Sequence, residues 1–200
     1  EIAAGLRDSL LGLLGPEARE QVSRNASRAR HWEHQADDLV NLARELQRQS
    51  TGHGDFYCTL IEGADDIIDE LEEAAFHLGL FPPDPPGAPM LEALGTLAAL
   101  AVSSTQEFLK ALECARGIRP GGLREDLQDF LEAIHHIMAA ERQADDAHRG
   151  FKRALIADNG DFRDLYACAE CARNLENAAD LLLSTALQLR GHVLRTAMGD

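Results

Sequence analysis

Apolar residues recur along this chain at intervals of three and four, the spacing that puts them on one face of a helix. Leu6, Leu10, Leu13 and Leu14 open the pattern. From Glu17 to about Gln49 the apolar positions are Val22, Ala26, Ala29, Ala36, Leu39, Ala43 and Leu46. From Asp55 to about Gly79 they are Leu60, Ala64, Ile67, Ile68, Leu71, Ala74 and Ala75. Between Met90 and about Ala115 most faces are apolar, which predicts a helix buried centrally or at a partner surface. Leu123 to about Ala157 and Asp161 to about Ala197 read as two long amphipathic helices. No segment alternates polar and apolar over a strand's length. The pattern predicts six helices and no sheet, an all-α chain.

Glycine and proline divide these segments. Breaks fall at Gly15-Pro16, at 51–54, at the proline-rich run 81–87, at 117–122 and at Asn159-Gly160. An internal repeat then sets the expected organisation. Glu33-His-Gln-Ala-Asp-Asp38 returns 108 residues on as Glu141-Arg-Gln-Ala-Asp-Asp146, and Gly54-Asp-Phe56 returns 106 on as Gly160-Asp-Phe162. The next helix of each half carries an acidic pair, Asp65 with Asp69 and Glu176 with Asp180. Each half reads as a three-helix repeat, 1–80 and 88–200, joined by the proline-rich linker 81–87. Short loops predict up-down antiparallel neighbours. The chain opens at Glu1 without a methionine, and the first helix reads as truncated.

Composition narrows the function classes. Asp and Glu number 34 against 19 Lys and Arg, a net charge of −15. Such a balance disfavours nucleic acid and anionic membranes and favours cations. Aromatic residues are only 5% of the chain, which favours helix-on-helix packing over a β-sandwich. No run approaches the roughly 18 apolar residues of a membrane span, and no signal peptide is visible. Four scattered cysteines, Cys58, Cys114, Cys168 and Cys171, predict reduced thiols in a cytoplasmic protein.

The acidic pairs are the candidate chemistry. Glu33 and Asp37, Asp65 and Asp69, Glu141 and Asp145, and Glu176 and Asp180 are each four apart. On a helix that spacing puts two carboxylates on one face, about 5–6 Å apart at Cβ, where they repel. A cation between antiparallel helices removes that repulsion, and carboxylate donors suit Mg²⁺, Ca²⁺, Mn²⁺ or Fe. The plain alternative is a solvated acidic face, or salt bridges to Arg30, Arg44, Arg142 or Arg153. His34 and His148 lie on adjacent turns and could add a nitrogen ligand.

Other features carry less. Cys168-x-x-Cys171 has metal-ligand spacing but no second pair, and sits within a helix as two small core residues. A di-iron carboxylate enzyme wants two Glu-x-x-His pairs, and only Glu132-x-x-His135 has that spacing. A metal-free scaffold that dimerises through the apolar helix from Met90 to Ala115 is the third reading.

The two Glu-x-x-Ala-Asp motifs, the run Asp65-Asp-Ile-Ile-Asp69-Glu-Leu-Glu-Glu-Ala74 and Glu176-Asn-Ala-Ala-Asp180 together resemble the PhoU-like phosphate-transport regulators. They are most similar to the branch that accompanies low-affinity phosphate permeases. The resemblance covers about residues 4–196. The loop from Thr51 to Cys58 departs from the family's usual lead-in to its second helix. The resemblance implies a non-enzymatic, cytoplasmic regulator built of paired three-helix bundles. It implies metal ions (Fe, Mn, Zn or Mg) held by Glu33, Asp37, Asp65 and Asp69 in one half. In the other half the ligands would be Glu141, Asp145, Glu176 and Asp180, with Asp38, Asp66 and Asp146 as helpers. The implied partner is an inorganic phosphate transporter at the cytoplasmic face of the inner membrane, or a signalling protein, with room for a homo-oligomer.

Overall fold

Helix ends are set by local chemistry. Asp161 Oδ1 accepts a hydrogen bond from the Arg163 backbone N–H at 2.9 Å, capping the last helix. Proline occupies the first turn of the fourth helix, where its missing N–H is no loss. Glu125 and Asp126 sit in the first turn of the fifth, and Arg48 in the last turn of the second, each complementing the helix dipole.

The computed structural model describes residues 1–13, 17–49, 54–81, 86–119, 124–158 and 160–198. Six α-helices follow in order: α1 (Ile2–Gly12), α2 (Ala18–Gln49), α3 (Gly54–Gly79), α4 (Ala88–Gly117), α5 (Arg124–Ala157) and α6 (Phe162–Met198). The chain is all-α, and no strand occurs among the described residues. The expected breaks at Gly15-Pro16, Pro82–Pro85, Pro120–Gly122 and Asn159 lie outside the described residues, as do Thr51–His53 of the atypical lead-in loop.

α1, α2 and α3 pack on one another, and so do α4, α5 and α6. α3 lies on α6 and α1 on α4, joining the two trios. α2 touches only α1 and α3, and α5 only α4 and α6, among the described residues. Pairing is antiparallel: Arg44 bonds Glu62 and Gln47 bonds Asp55 between α2 and α3. Between α3 and α6, Phe56 stacks on His192 with ring centroids 3.8 Å apart, and Glu70 meets Asn174.

One hydrophobic core runs from Ala3 to Val193 through both trios. Its largest fully buried side chains include Leu94, Leu97, Phe130, Ile134, Ile137, Phe151, Leu175 and Leu182. By length and composition α4 also satisfies the requirement for a membrane-crossing helix, contrary to the expectation that no segment would. Its apolar face, however, is the one that Leu94, Ala98, Ala101 and Ala111 bury completely against neighbouring helices.

Periodicity misplaces two residues. Leu39 and Leu46 fit the apolar pattern of α2 but are 60% and 57% exposed. The buried face of α2 is instead made by Val22, Ala29, Ala36 and Val40.

Candidate functional site: two carboxylate clusters

The antiparallel pairing of α2 and α3 brings Glu33 and Asp37 opposite Asp65 and Asp69. Their charges act on one another. Burial pushes the Asp69 carboxyl up to about 6, assisted by repulsion from Asp65, Glu33, Asp37 and Asp66. The Asp65 carboxyl is raised too, first by burial, then by Asp37, Asp66 and Glu33. Asp65 Oδ1 is buried without a hydrogen-bond partner. Asp66 therefore joins the cluster electrostatically, while Asp38 is exposed. Arg44, an expected partner of the motif acids, bonds Glu62 instead, Nε to Oε1 at 2.8 Å. His34 Nε2 stands 3.4 Å from Glu33 Oε2. Beside the cluster a groove of about 510 Å³ continues between the two helices, lined by Arg30, Glu33, His34, Glu72, Glu73 and Phe76. Burial and the neighbouring Glu73 and Glu33 raise the Glu72 carboxyl in its wall.

The second cluster forms in the same way where α5 meets α6. Burial raises the Glu141 carboxyl, with repulsion from Asp180, Asp145 and Glu176. Burial also raises that of Asp180, with Glu176 and Asp145 adding to it and His148 opposing. All eight expected carboxylates thus fall into two groups of four, each spanning one antiparallel helix pair.

The two groups differ in the basic side chains beside them. His148 is buried, and its Nδ1 lies 3.4 Å from Glu176 Oε2. The residue 108 positions earlier is Val40, so the first cluster has no buried imidazole at that place, only the exposed His34 beside Glu33. Arg149 Nη2 bonds Asp145 Oδ2 at 2.7 Å and its Nη1 approaches Asp146 at 3.5 Å. The spacing i, i+4 from Asp145 to Arg149 was the available signal for that pair. Arg44 and Arg149 hold their acids from exposed positions, so each pair contributes little stability.

Among the described residues, no three His, Cys, Asp or Glu side chains stand together as a formed metal cage. The carboxylates are neighbours in charge rather than a set of ligands drawn around one point. Glu132 and His135 are both exposed, and the adjacent His136 Nδ1 pairs with Glu107 Oε1 at 3.2 Å. Cys168 and Cys171 are buried, and burial pushes the Cys168 thiol up to about 12, so both act as small core residues.

Sequence reasoning missed one polar junction. Glu70 of α3 accepts hydrogen bonds from Asn174 Nδ2 at 2.6 Å and Asn177 Nδ2 at 3.2 Å, both on α6. No protein-family model matches the chain, and no curated protein matches it.

Proposed function

We propose that this chain is a non-enzymatic, PhoU-like regulator of phosphate transport. It binds metal ions through two helix-bridging carboxylate clusters and contacts a phosphate transporter or a signalling protein from the cytoplasmic side. The carrying observation is the pairing itself. Two acidic motifs 108 residues apart each meet a second acidic pair across an antiparallel partner helix, and burial together with the neighbouring carboxylates raises the carboxyls of Asp65, Asp69, Glu141 and Asp180. Repulsion held in place by packing is costly unless a cation offsets it. The oxygen donors suit hard or borderline ions. In the first cluster the unpartnered Asp65 Oδ1 is a vacant acceptor. In the second, His148 adds a nitrogen donor beside Glu176.

The packing supports the same reading. Each helix trio is closed on itself and meets the other through like members, α1 with α4 and α3 with α6. A cation held between α2 and α3, or between α5 and α6, would tie an outer helix to the core pair and fix the outer surface for a partner.

The test is elemental analysis of untagged protein after incubation with Mn, Fe, Zn or Mg. It is run beside a variant with Glu33, Asp37, Glu141 and Asp145 changed to Ala, and phosphate uptake is measured in cells carrying each form. Stoichiometric metal in the native chain, lost in the variant together with control of uptake, is the expected result. Equal metal content and equal uptake in both would overturn the reading.

A further inference from the structure

A cavity of about 400 Å³ opens at the end of the bundle where α3 begins and where α4 and α6 end. Helix packing creates it. α3 and α4 both lie on α6 but, among the described residues, not on each other. Elsewhere along the bundle α1 packs on both and buries Ala3, Leu6 and Leu10. Ile118, Leu189 and Val193, all buried, form the floor of the cavity, and Leu60, Leu112 and Ala115 line its sides. One wall is flat: the rings of Phe56 and His192 stack with 7° between their planes.

The rim is cationic. Arg116 stands in the last turn of α4 and Arg119 just beyond it, both exposed. Arg119 Nη1 donates to Arg116 O and to Ile118 O, each at 3.1 Å, which fixes its guanidinium at the mouth. A guanidinium has five N–H donors, so Nε and Nη2 are left to bind elsewhere. Among the described residues six arginines each hold a carboxylate, but Arg116 and Arg119 hold none. The chain has 34 acids, yet no Asp or Glu lines this cavity among the described residues. The groove between α2 and α3 has Glu33, Glu72 and Glu73 in its walls, and the one between α1 and α2 has Glu1 and Asp8. Negative charge is thus kept away from the one place where two unpaired arginines meet an apolar floor.

We propose that this cavity binds a small carboxylic acid with an apolar tail, of the fatty-acid class. The tail lies on Leu189 and Val193 against the Phe56–His192 wall, and the carboxylate pairs with Arg116 and Arg119. The planar fork of a guanidinium matches a carboxylate in two parallel hydrogen bonds. A bare inorganic anion would leave the apolar lining wet, and an uncharged hydrocarbon would leave both arginines unpaired. The volume falls within the usual range for small-molecule sites, about 300–1,000 Å³. The net charge of −15 repels an anion only weakly here, because salt screens charges beyond about 8 Å at physiological ionic strength.

The test is calorimetric titration of the 200-residue chain with hexanoate, octanoate, 1-octanol and acetate in 0.15 M salt. Octanoate should bind at one site with a negative heat-capacity change. Affinity should rise about fourfold per methylene from hexanoate to octanoate, as burial of each CH₂ predicts. R116A/R119A should weaken octanoate at least tenfold, and R116K/R119K, which keeps the charge but loses the fork, should weaken it less. The chain-length series is read on the native protein, so it stands whether or not a variant folds. Four results would each overturn the proposal: no octanoate binding at millimolar concentration, octanol binding as tightly as octanoate, acetate binding as tightly as octanoate, or unchanged affinity in folded R116A/R119A. None of these outcomes bears on metal content, because none of the eight clustered carboxylates lines the cavity.

Discussion

Asn174 on α6 donates a hydrogen bond of 2.6 Å to the Glu70 carboxylate on α3, tying together the two helices that join the halves. Asn174 is buried, and its own Oδ1 has no partner. The side chain is therefore held in one orientation by Glu70 alone, because turning the amide would point oxygen at oxygen. Replacing Glu70 by Ala strands a buried amide and should lower unfolding stability by about 1.5–3 kcal/mol, the range for bonds to a charged group. Glu70→Gln, which can still offer a carbonyl oxygen, should lose less. Urea midpoints of the two variants at constant m-value check the order.

The same crossing is unusually close at Gly63. A Cβ there would lie 2.7 Å from Thr185 Oγ1 and 3.2 Å from its Cγ2. Alanine favours a helix over glycine by about 1 kcal/mol. Overpacking a tight crossing costs about 1–3 kcal/mol. The clash should win, so Gly63→Ala should lower the melting temperature. Thr185→Ala removes the obstructing atoms, so the double variant should recover part of the loss. A double-mutant cycle with no coupling between the two positions would contradict the close approach.

Local signals in the sequence account for much of this molecule. Six helices could be placed because glycine and proline interrupt each apolar run, and the i, i+4 acids named both carboxylate clusters before any contact was known. Contacts across the chain were not legible. Glu70 and Asn174 are 104 residues apart, and nothing in either local pattern says that they meet. Leu39 and Leu46 show the limit of periodicity: it tells which residues share a side of a helix, not whether a neighbour covers that side. The sequence marks His148 and His34 alike as nitrogens beside the acid motifs, and only packing separates them, burying His148 against Glu176 and leaving His34 exposed.

The first carboxylate cluster should respond to pH and to cations with opposite signs. The Asp69 carboxyl titrates at about 6 in the folded chain, against an ordinary value of 3.8, because burial and four neighbouring carboxylates favour its neutral form. Between those values the folded state holds a proton that the unfolded state has released, so stability falls as pH rises from about 4 to 6. Asp69→Asn removes the charge without changing the shape. At pH 7 without metal it should melt above the native chain, by about 1–3 °C, since the exposed edge of Asp69 lets water screen part of the repulsion. At pH 4 and below the two should melt together. A cation bound by the cluster stabilises the native chain in proportion to RT ln(1 + [L]/Kd), about 2.7 kcal/mol at a hundredfold excess over Kd, and the variant lacks one of its donors. Manganese should therefore reverse the order at pH 7: Asp69→Asn melts higher in chelator and lower in excess Mn²⁺. Paired melting curves in the two buffers read the sign directly. An Asp69→Asn variant that stays above the native chain in both would mean that the acids repel one another on a wet surface and gather no ion.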